Sequence, residues 1–128
     1  WEPPDGRRIP YTRFMPRLTT HAIPLETVQK ASGPLAREIA GLLGIPEDFV
    51  TLEVRQDPFV RGGAVVAGDP FISVSLFDRG PAMEDQVARA ITRQFQAAGV
   101  PHLDVCLLHL ERARYYEDGE PFVPPTRV

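Results

Sequence analysis

Residues 15–23 read MPRLTTHAI, and this stretch decides how the fold is interpreted. After Met15-Pro16, two sets of residues alternate along the chain: Leu18, Thr20 and Ala22 in one set, and Arg17, Thr19 and His21 in the other. Alternation with a period of two is typical of a β-strand that buries one face. The stretch therefore predicts a first strand that opens directly at Pro16.

The next segment, residues 24–44, has the spacing of a helix. Its apolar residues recur at steps of three and four: Val28, Ala31, Leu35, Ile39 and Leu42. Gly33-Pro34 interrupts the pattern, because proline lacks a backbone donor and clashes with the preceding turn. Two alternatives follow: the helix kinks there, or a second helix starts with Ser32 as its N-cap. Gly44 is a stop signal.

The same rhythm repeats further along the chain. Residues 49–56 predict a second strand with Val50, Leu52 and Val54 on one face, and residues 57–69 predict a loop or a loose β-excursion. Residues 70–77 predict a third strand, which a turn joins to a helix with one buried stripe: Met83, Val87, Ile91, Gln94/Phe95 and Ala98. Residues 103–110 predict a fourth strand, and its near-continuous apolar run predicts burial on both faces.

The two ends of the chain differ in composition from the middle. Residues 1–14 predict an irregular arm, because prolines and Gly6 break any periodicity. This arm is either a flexible tail or a segment that packs on a neighbouring subunit, with these anchors: Trp1, Ile9, Tyr11 and Phe14. Residues 115–122 predict a small hairpin around Asp118-Gly119. We expect one domain over residues 15–123, between the arm and a tail at 124–128.

The order of elements predicts an α+β fold made of two β-α-β units (β-α-β-β-α-β). Each unit should cross over right-handed, which pairs its strands in parallel and puts both helices on one face of a mixed sheet. The other face of the sheet would then stay uncovered. Apolar residues on both strand faces predict an oligomer that buries it.

Composition excludes several classes of function. The 14 basic and 17 acidic residues give a net charge of -3 and no basic stripe, so we expect no nucleic-acid partner. No apolar stretch approaches the roughly 20 residues of a membrane helix, so we expect no membrane partner. Metal-ligand, phosphate-binding and dinucleotide motifs are not found, and we expect no cofactor. Cys106, the single cysteine, lies in an apolar run, which predicts a buried structural thiol and fits a cytoplasmic location.

Several motifs, in order and at similar spacing, resemble the tautomerase superfamily. Met15-Pro16 at the head of the first strand is similar to the start of those proteins, where loss of the initiator Met frees a proline. FVTLEVRQDPFVRGG (49–63) and PFISVSLFDRG (70–80) resemble the macrophage migration inhibitory factor branch. LFDRG (76–80) and YYEDGEPF (115–122) are more similar still to an uncharacterised tautomerase-like branch.

The resemblance covers about residues 15–122 and implies a homotrimer whose sheets line a barrel, with the helices outside. It also implies an active site at each subunit boundary, organised by an N-terminal proline. As a free secondary amine, Pro16 would be the general base in keto–enol isomerisation of a small carbonyl acid. While residues 1–15 are attached, its nitrogen is an amide without a basic lone pair, and that mechanism is impossible.

Three arginines are candidates for binding the carboxylate of such a substrate. Arg79 is the first choice, because it follows the third strand next to a helix start that favours anions. The alternative is a surface ion pair with Asp78. Arg17 and Arg55 are weaker candidates.

Tyrosines and histidines complete the set of candidates. Tyr115 and Tyr116 either cover the mouth of the pocket or pack at a subunit interface. His21 and His109 are either acid-base groups or structural histidines. Two other functions stay open. One is a catalytically inactive trimeric scaffold or small-ligand binding module; the other is a decarboxylase or hydratase in which an acid such as Asp78 activates water.

Overall fold

The computed structural model describes residues 15–122, which carry two α-helices, two single-turn 3-10 helices (Glu47–Phe49 and Arg112–Arg114) and eight strands. In chain order the strands are β1 (Arg17–His21), β2 (Thr51–Arg55), β3 (Phe59–Arg61), β4 (Ala64–Val66), β5 (Phe71–Phe77), β6 (Asp104–Leu110), β7 (Tyr116–Glu117) and β8 (Glu120–Pro121). The predicted arm at 1–14 and tail at 124–128 lie outside the described residues.

The main sheet has four strands in the order β2-β1-β5-β6. β1 pairs with β2 in parallel, β5 pairs with β6 in parallel, and β1 and β5 meet antiparallel at the centre. The predicted α+β fold of two β-α-β units is confirmed, because each unit forms one parallel strand pair. The two units join into one sheet through the antiparallel pairing of β1 with β5.

The first helix, α1, runs from Leu25 to Leu43 and contains Pro34. It continues through Gly33-Pro34, so the predicted restart with Ser32 as N-cap is wrong. The Ser32 hydroxyl instead donates to the Gln29 carbonyl at 2.8 Å. The helix ends where predicted, because Gly44 adopts a left-handed conformation (φ 67°) and its N–H reaches the Ala40 carbonyl at 2.8 Å.

The second helix, α2, runs from Pro81 to Ala97 and packs beside α1 on the same face of the sheet. It starts at a position that suits proline, because the first helical N–H has no partner within the helix. Gly80 just before it has φ 85°, a conformation that glycine adopts without strain.

The core lies between this helix pair and the covered face of the sheet. Counted from the first residue of each helix, positions 7, 11 and 15 are buried in both: Ala31, Leu35 and Ile39 in α1, and Val87, Ile91 and Phe95 in α2. Leu18, Ile72 and Val74 of the two central strands are fully buried against them. Each fully buried Leu, Ile, Val or Phe contributes roughly 1.5–3 kcal/mol by leaving water.

Two hairpins extend the chain beyond the main sheet. β3 and β4 pair antiparallel around Gly62-Gly63, which resolves the predicted β-excursion into a short hairpin. β7 and β8 form the hairpin predicted near the end. Asp118 and Gly119 both have positive φ at its turn, as a two-residue loop that matches strand twist requires.

Because one face of the sheet is uncovered, two predictions are wrong, the burial of both faces of β6 and the burial of Cys106. β6 is an edge strand, and the helices shield only one of its faces, so exposed and partly buried residues alternate from Asp104 to Leu108, and His109 is exposed as well. The expectation that both faces of this strand are buried is therefore wrong for the single chain. Cys106 points to the uncovered face beside Ser73 and is exposed, which contradicts the predicted buried thiol.

The two halves repeat one corner in the same way. Pro16 precedes β1, and its carbonyl accepts the N–H of Thr51, the first residue of β2. Pro70 precedes β5, and its carbonyl accepts the N–H of Asp104, the first residue of β6. Because β1 and β5 are antiparallel, these equivalent proline corners lie at opposite ends of the sheet.

Candidate functional site

Pro16 is buried at the start of β1. Arg17 pairs with Ser75, so extending this antiparallel register by one residue puts Pro16 opposite Leu76, a core residue. Leu76 in turn pairs with His109 on its other side. Pro16 and His109 therefore flank Leu76 at one end of the sheet, about two strand spacings or 10 Å apart.

Arg79 lies at this end of the sheet, but its guanidinium is engaged with the first helix. It donates to the Leu43 carbonyl at 3.4 Å, at the C-terminus of α1, where a cation is favourable. No ion pair joins Arg79 to Asp78. Arg17 follows Pro16 directly and lies on the uncovered face between Thr51 and Ser75. Arg79 and Arg17 are thus the two candidate arginines at the Pro16 end.

Arg55 lies at the opposite end of β2, where it forms an ion pair with Asp57 at 2.9 Å. It is four residues beyond Thr51, or about 13 Å along the strand, so one chain does not bring it to Pro16. His21 is near that end too, and its ring stacks on Phe71 at 4.0 Å. This stacking supports a structural interpretation of His21.

Tyr115 packs at the Pro16 end through Phe77, the last residue of β5. The rings of Tyr115 and Phe77 meet edge to face at 5.6 Å, and the Phe122 ring stacks on Phe77 at 5.3 Å. The Arg112 guanidinium lies 4.6 Å from the centre of the Phe77 ring. The terminal hairpin is therefore anchored by aromatic contacts, whereas Tyr116 is 62 % exposed.

Three titratable side chains converge beside this corner. Asp78 follows β5, Glu84 lies in the first turns of α2, and His109 is near the end of β6. Each offers one ligand atom, and these atoms all lie within 4.8 Å of one another. His109 Nε2 is 2.5 Å from Glu84 Oε1. We refer to Asp78, Glu84 and His109 as the acid–His cluster.

The backbone fixes Asp78, because its Oδ1 accepts the N–H of Gly80 at 2.8 Å. This hydrogen bond lowers the pKa of Asp78, and the nearby positive charge of His109 acts in the same direction, whereas desolvation opposes both. The hydrogen bond with Glu84 raises the pKa of His109, and the negative charges of Glu84 and Asp78 add to it, whereas desolvation opposes them.

Glu84 is the residue of the acid–His cluster that the sequence pattern did not single out. The pattern predicted Met83 on the buried stripe of α2, whereas Glu84 is buried and only 7 % exposed, and Met83 is half-buried. The spacing did carry a signal. Glu84 is three residues before Val87, and Ile91 and Phe95 follow at steps of four, so a carboxylate occupies the first position of an apolar stripe.

A larger concave surface than the corner at Pro16 lies elsewhere in the described residues, but it has a different chemistry. A groove of about 690 Å³ runs along α2 and the start of β6, and none of the candidate site residues lines it. Its arginines are already paired, Arg89 with Asp85 at 2.8 Å and Arg93 with Glu38 at 2.6 Å. The chemistry of the described residues therefore concentrates at the Pro16 end and not in this groove.

The fold is that of the tautomerases. A fused 4-OT wild-type asymmetric trimer is similar to it with a TM-score of 0.69 at 15% identity, over 84% of this chain and 96% of that chain. The family is narrower: residues 15–121 match the domain of unknown function DUF1904, and the chain belongs to that family. No curated protein matches it in sequence.

Two solved structures share more of the sequence. The DUF1904 protein of Sebaldella termitidis ATCC 33386 is 27% identical with a TM-score of 0.75, over 84% of this chain and 99% of that chain. A protein of unknown function from Vibrio cholerae O1 biovar eltor str. N16961 is 28% identical with a TM-score of 0.73, over 85% and 88%. The resemblance to an uncharacterised tautomerase-like branch is thereby confirmed. Neither helix of residues 15–122 is long and apolar enough to cross a membrane.

Proposed function

We propose that this protein binds a small carbonyl or carboxylate ligand at its Pro16 end and, in a form whose N-terminus is Pro16, catalyses keto–enol isomerisation with Pro16 as general base. The observation that carries the proposal is the buried position of Pro16 at the head of β1, at the sheet end that also holds Arg79, Arg17 and the acid–His cluster.

The chemistry follows from the nitrogen of a free Pro16. An α-amino group has an ordinary pKa of about 7.7–8.0, and an apolar neighbour such as Leu76 disfavours its protonated form. The neutral amine can take a proton from the enol hydroxyl or from the carbon next to a carbonyl and return it at the other atom. Arg79 or Arg17 would hold the substrate carboxylate.

We also propose that the working unit is a cytoplasmic homotrimer. The support is the uncovered sheet face, where Leu108 is 46 % exposed, together with a fold neighbour that is a trimer. Within one chain Arg55 is remote from Pro16, and a second subunit could supply it or Tyr115 to a neighbouring site. Residues 15–123 would form the domain of that trimer.

The activity test compares the full chain with a protein that starts at Pro16 after removal of Met15. The processed protein should convert phenylenolpyruvate to its keto form, followed by ultraviolet absorbance, and Pro16→Ala should abolish turnover. Pro70→Ala is the matched control, because it alters the equivalent corner, and it should keep the activity. Equal turnover by the Pro16→Ala protein would rule out Pro16 as the base.

A covalent probe tests the amine directly. The fold neighbour Pt0534 is inactivated by 2-oxo-3-pentynoate. A secondary amine adds to the triple bond of such a compound: the nitrogen–carbon bond forms, one π bond breaks, and the amine proton ends on the adjacent carbon. Mass spectrometry should show a gain of one probe molecule at Pro16 in the processed protein and none there in the full chain.

The second candidate function is a catalytically inactive scaffold or small-ligand binding module. It is favoured by the peptide bond between Met15 and Pro16, which leaves the Pro16 nitrogen an amide, and by the engagement of Arg79 with Leu43. Mass spectrometry of the N-terminus of the protein from its native source separates the two: a chain that keeps residues before Pro16 supports the inactive module.

A further inference from the structure

We propose that the acid–His cluster binds a divalent transition-metal ion of the Zn²⁺ class, with Asp78, Glu84 and His109 as its protein ligands. This site does not depend on Pro16 being a free amine, and it goes beyond the proposed isomerisation. It rests on the placement of Glu84, on the unpartnered oxygen of that residue, and on the convergence of three donors from separate elements.

The fold itself does not require an acid at position 84. Glu84 is the fourth residue of α2, and the fourth residue of α1 is Val28, which is 2 % exposed. The two helices match at buried positions 7, 11 and 15 as well, and there both carry apolar residues. At the fourth position of α1 a buried valine packs in the core, so the fold does not explain the acid at the fourth position of α2.

The neighbours of Glu84 provide a hydrogen-bond partner for only one of its two carboxylate oxygens. Oε1 meets His109, but Oε2 is buried without a hydrogen-bond partner. Asp78, the other group close by, is a second carboxyl. Two carboxylates approach one another in a protein when a proton or a cation lies between them, because a buried, unpaired charge is costly. One imidazole cannot balance both.

The three donors have the arrangement of a metal site that is open on one side. Their atoms lie within 4.8 Å of one another, and ligands at about 2.0–2.2 Å from Zn²⁺ in a tetrahedral site are about 3.3–3.6 Å apart. To bind one ion, Asp78 would have to move inward, whereas His109 Nε2 and Glu84 Oε1, now 2.5 Å apart, would have to separate by about 1 Å. Glu84 is on the buried side, whereas half of the His109 side chain is exposed, so solvent or a ligand can take a remaining position.

The donor set selects the class of ion. Mg²⁺ and Ca²⁺ prefer sites made of oxygen ligands, and imidazole suits Zn²⁺, Fe²⁺, Ni²⁺ and Cu²⁺. Two carboxylates and one histidine on a partly open surface resemble catalytic metal sites, which keep three protein ligands and an exchangeable position. We therefore choose Zn²⁺ as the probe and Mg²⁺ as the comparison ion.

The experiment is isothermal titration of the tag-free full chain with Zn²⁺ after treatment with a chelator. We expect one Zn²⁺ per chain, weaker binding of Mg²⁺, and a loss of affinity of about tenfold or more in both Glu84→Gln and His109→Ala. An anomalous difference map of crystals soaked in Zn²⁺ should place the ion between the three side chains. Pro16→Ala should bind Zn²⁺ like the wild type, which separates this site from the proposed isomerase.

Matched controls are Asp85→Asn, an acid one residue further on α2, and His102→Ala, a histidine outside the acid–His cluster. Both should bind Zn²⁺ like the unchanged chain. The proposal is overturned if the unchanged chain takes up no Zn²⁺, if Mg²⁺ binds as tightly, or if Glu84→Gln and His109→Ala both bind as well as the wild type. Because His109 is half exposed, His109→Ala tests the site even if Glu84→Gln does not fold.

Discussion

At the scale of single residues, Glu84 is where the sequence pattern and the observed burial diverge. Its neighbours on the buried stripe of α2 could be predicted from spacing alone. Its own burial could not, because an acid in the first turn of a helix is ordinarily an exposed, dipole-favoured residue. The prediction for Cys106 fails in the opposite way: an apolar run predicted its burial, but no element within residues 15–122 covers its face of the sheet.

The effect of the Glu84 side chain on stability can be measured by replacing it with valine, the residue at the equivalent position 28 of α1. In metal-free protein at pH 9, where the contribution of a charged His109 is lost, we expect Glu84→Val to raise the free energy of unfolding by about 1–2 kcal/mol, because an apolar side chain replaces a buried acidic one that has no charged partner. Urea denaturation followed by circular dichroism measures this. The reciprocal change Val28→Glu should destabilise the protein strongly, and an unstable Glu84→Val protein would contradict the argument.

His109 should make stability depend on pH in a defined direction. Its pKa is raised in the folded protein, so its contribution to stability is fully present below its unfolded pKa of about 6.5 and is lost as pH rises through the folded pKa. In metal-free protein, His109→Ala should therefore lower Tm more at pH 5.5 than at pH 9. His102→Ala is the control, and a larger effect at pH 9 would reverse our assignment.

At the scale of elements, periodicity predicted nearly all of the regular structure. Both helices and the four strands of the main sheet occur within a few residues of their expected positions, and so does the terminal hairpin. The one open choice in α1, a kink or a restart at Gly33-Pro34, depended on whether packing would hold the helix together there. Leu35 and Ile39 beyond the proline are fully buried, and their burial keeps the helix continuous.

Pro34 should therefore cost stability that an alanine would restore. Pro34 is exposed within α1, where proline is about 3 kcal/mol less favourable than alanine, partly offset by the stiffer unfolded chain. We expect Pro34→Ala to raise the free energy of unfolding by about 1–2 kcal/mol in urea. Pro101→Ala, in an exposed segment outside helices and strands, is the control without this gain. A Pro34→Ala protein of lower stability would show that the proline is needed.

At the scale of the whole molecule, the elements of residues 15–122 cover one face of the sheet and leave the other bare. The sequence predicted both the helix layer and the bare face, but no pattern within one chain tells what covers that face. If it lies within a trimer, as proposed, Leu108→Glu should give a smaller species by light scattering after gel filtration. Leu25→Glu is the matched control, since Leu25 is 50 % exposed on a helix, and it should keep the oligomer.

The single cysteine gives an independent measurement of the same interface. Cys106 faces the same side of the sheet as Leu108, two residues away on β6. A thiol reagent should label it slowly in the assembled protein and fast in the Leu108→Glu protein. An equal, fast rate in both, together with a monomer for the unchanged chain, would contradict the trimer.

The repeated proline corner has a consequence for how this protein could evolve. Pro70 sits where Pro16 does in the other half, with the same backbone hydrogen bond to the next parallel strand. Trimming the start of the chain can turn Pro16 into an amine, but no trimming there reaches Pro70. A ring of three chains would hold six such corners and at most three reactive ones. Under the proposed function, the three corners at Pro70 take no part in proton transfer. Substitutions near them, such as at the stacked rings of His21 and Phe71, would therefore leave the proposed reaction unchanged.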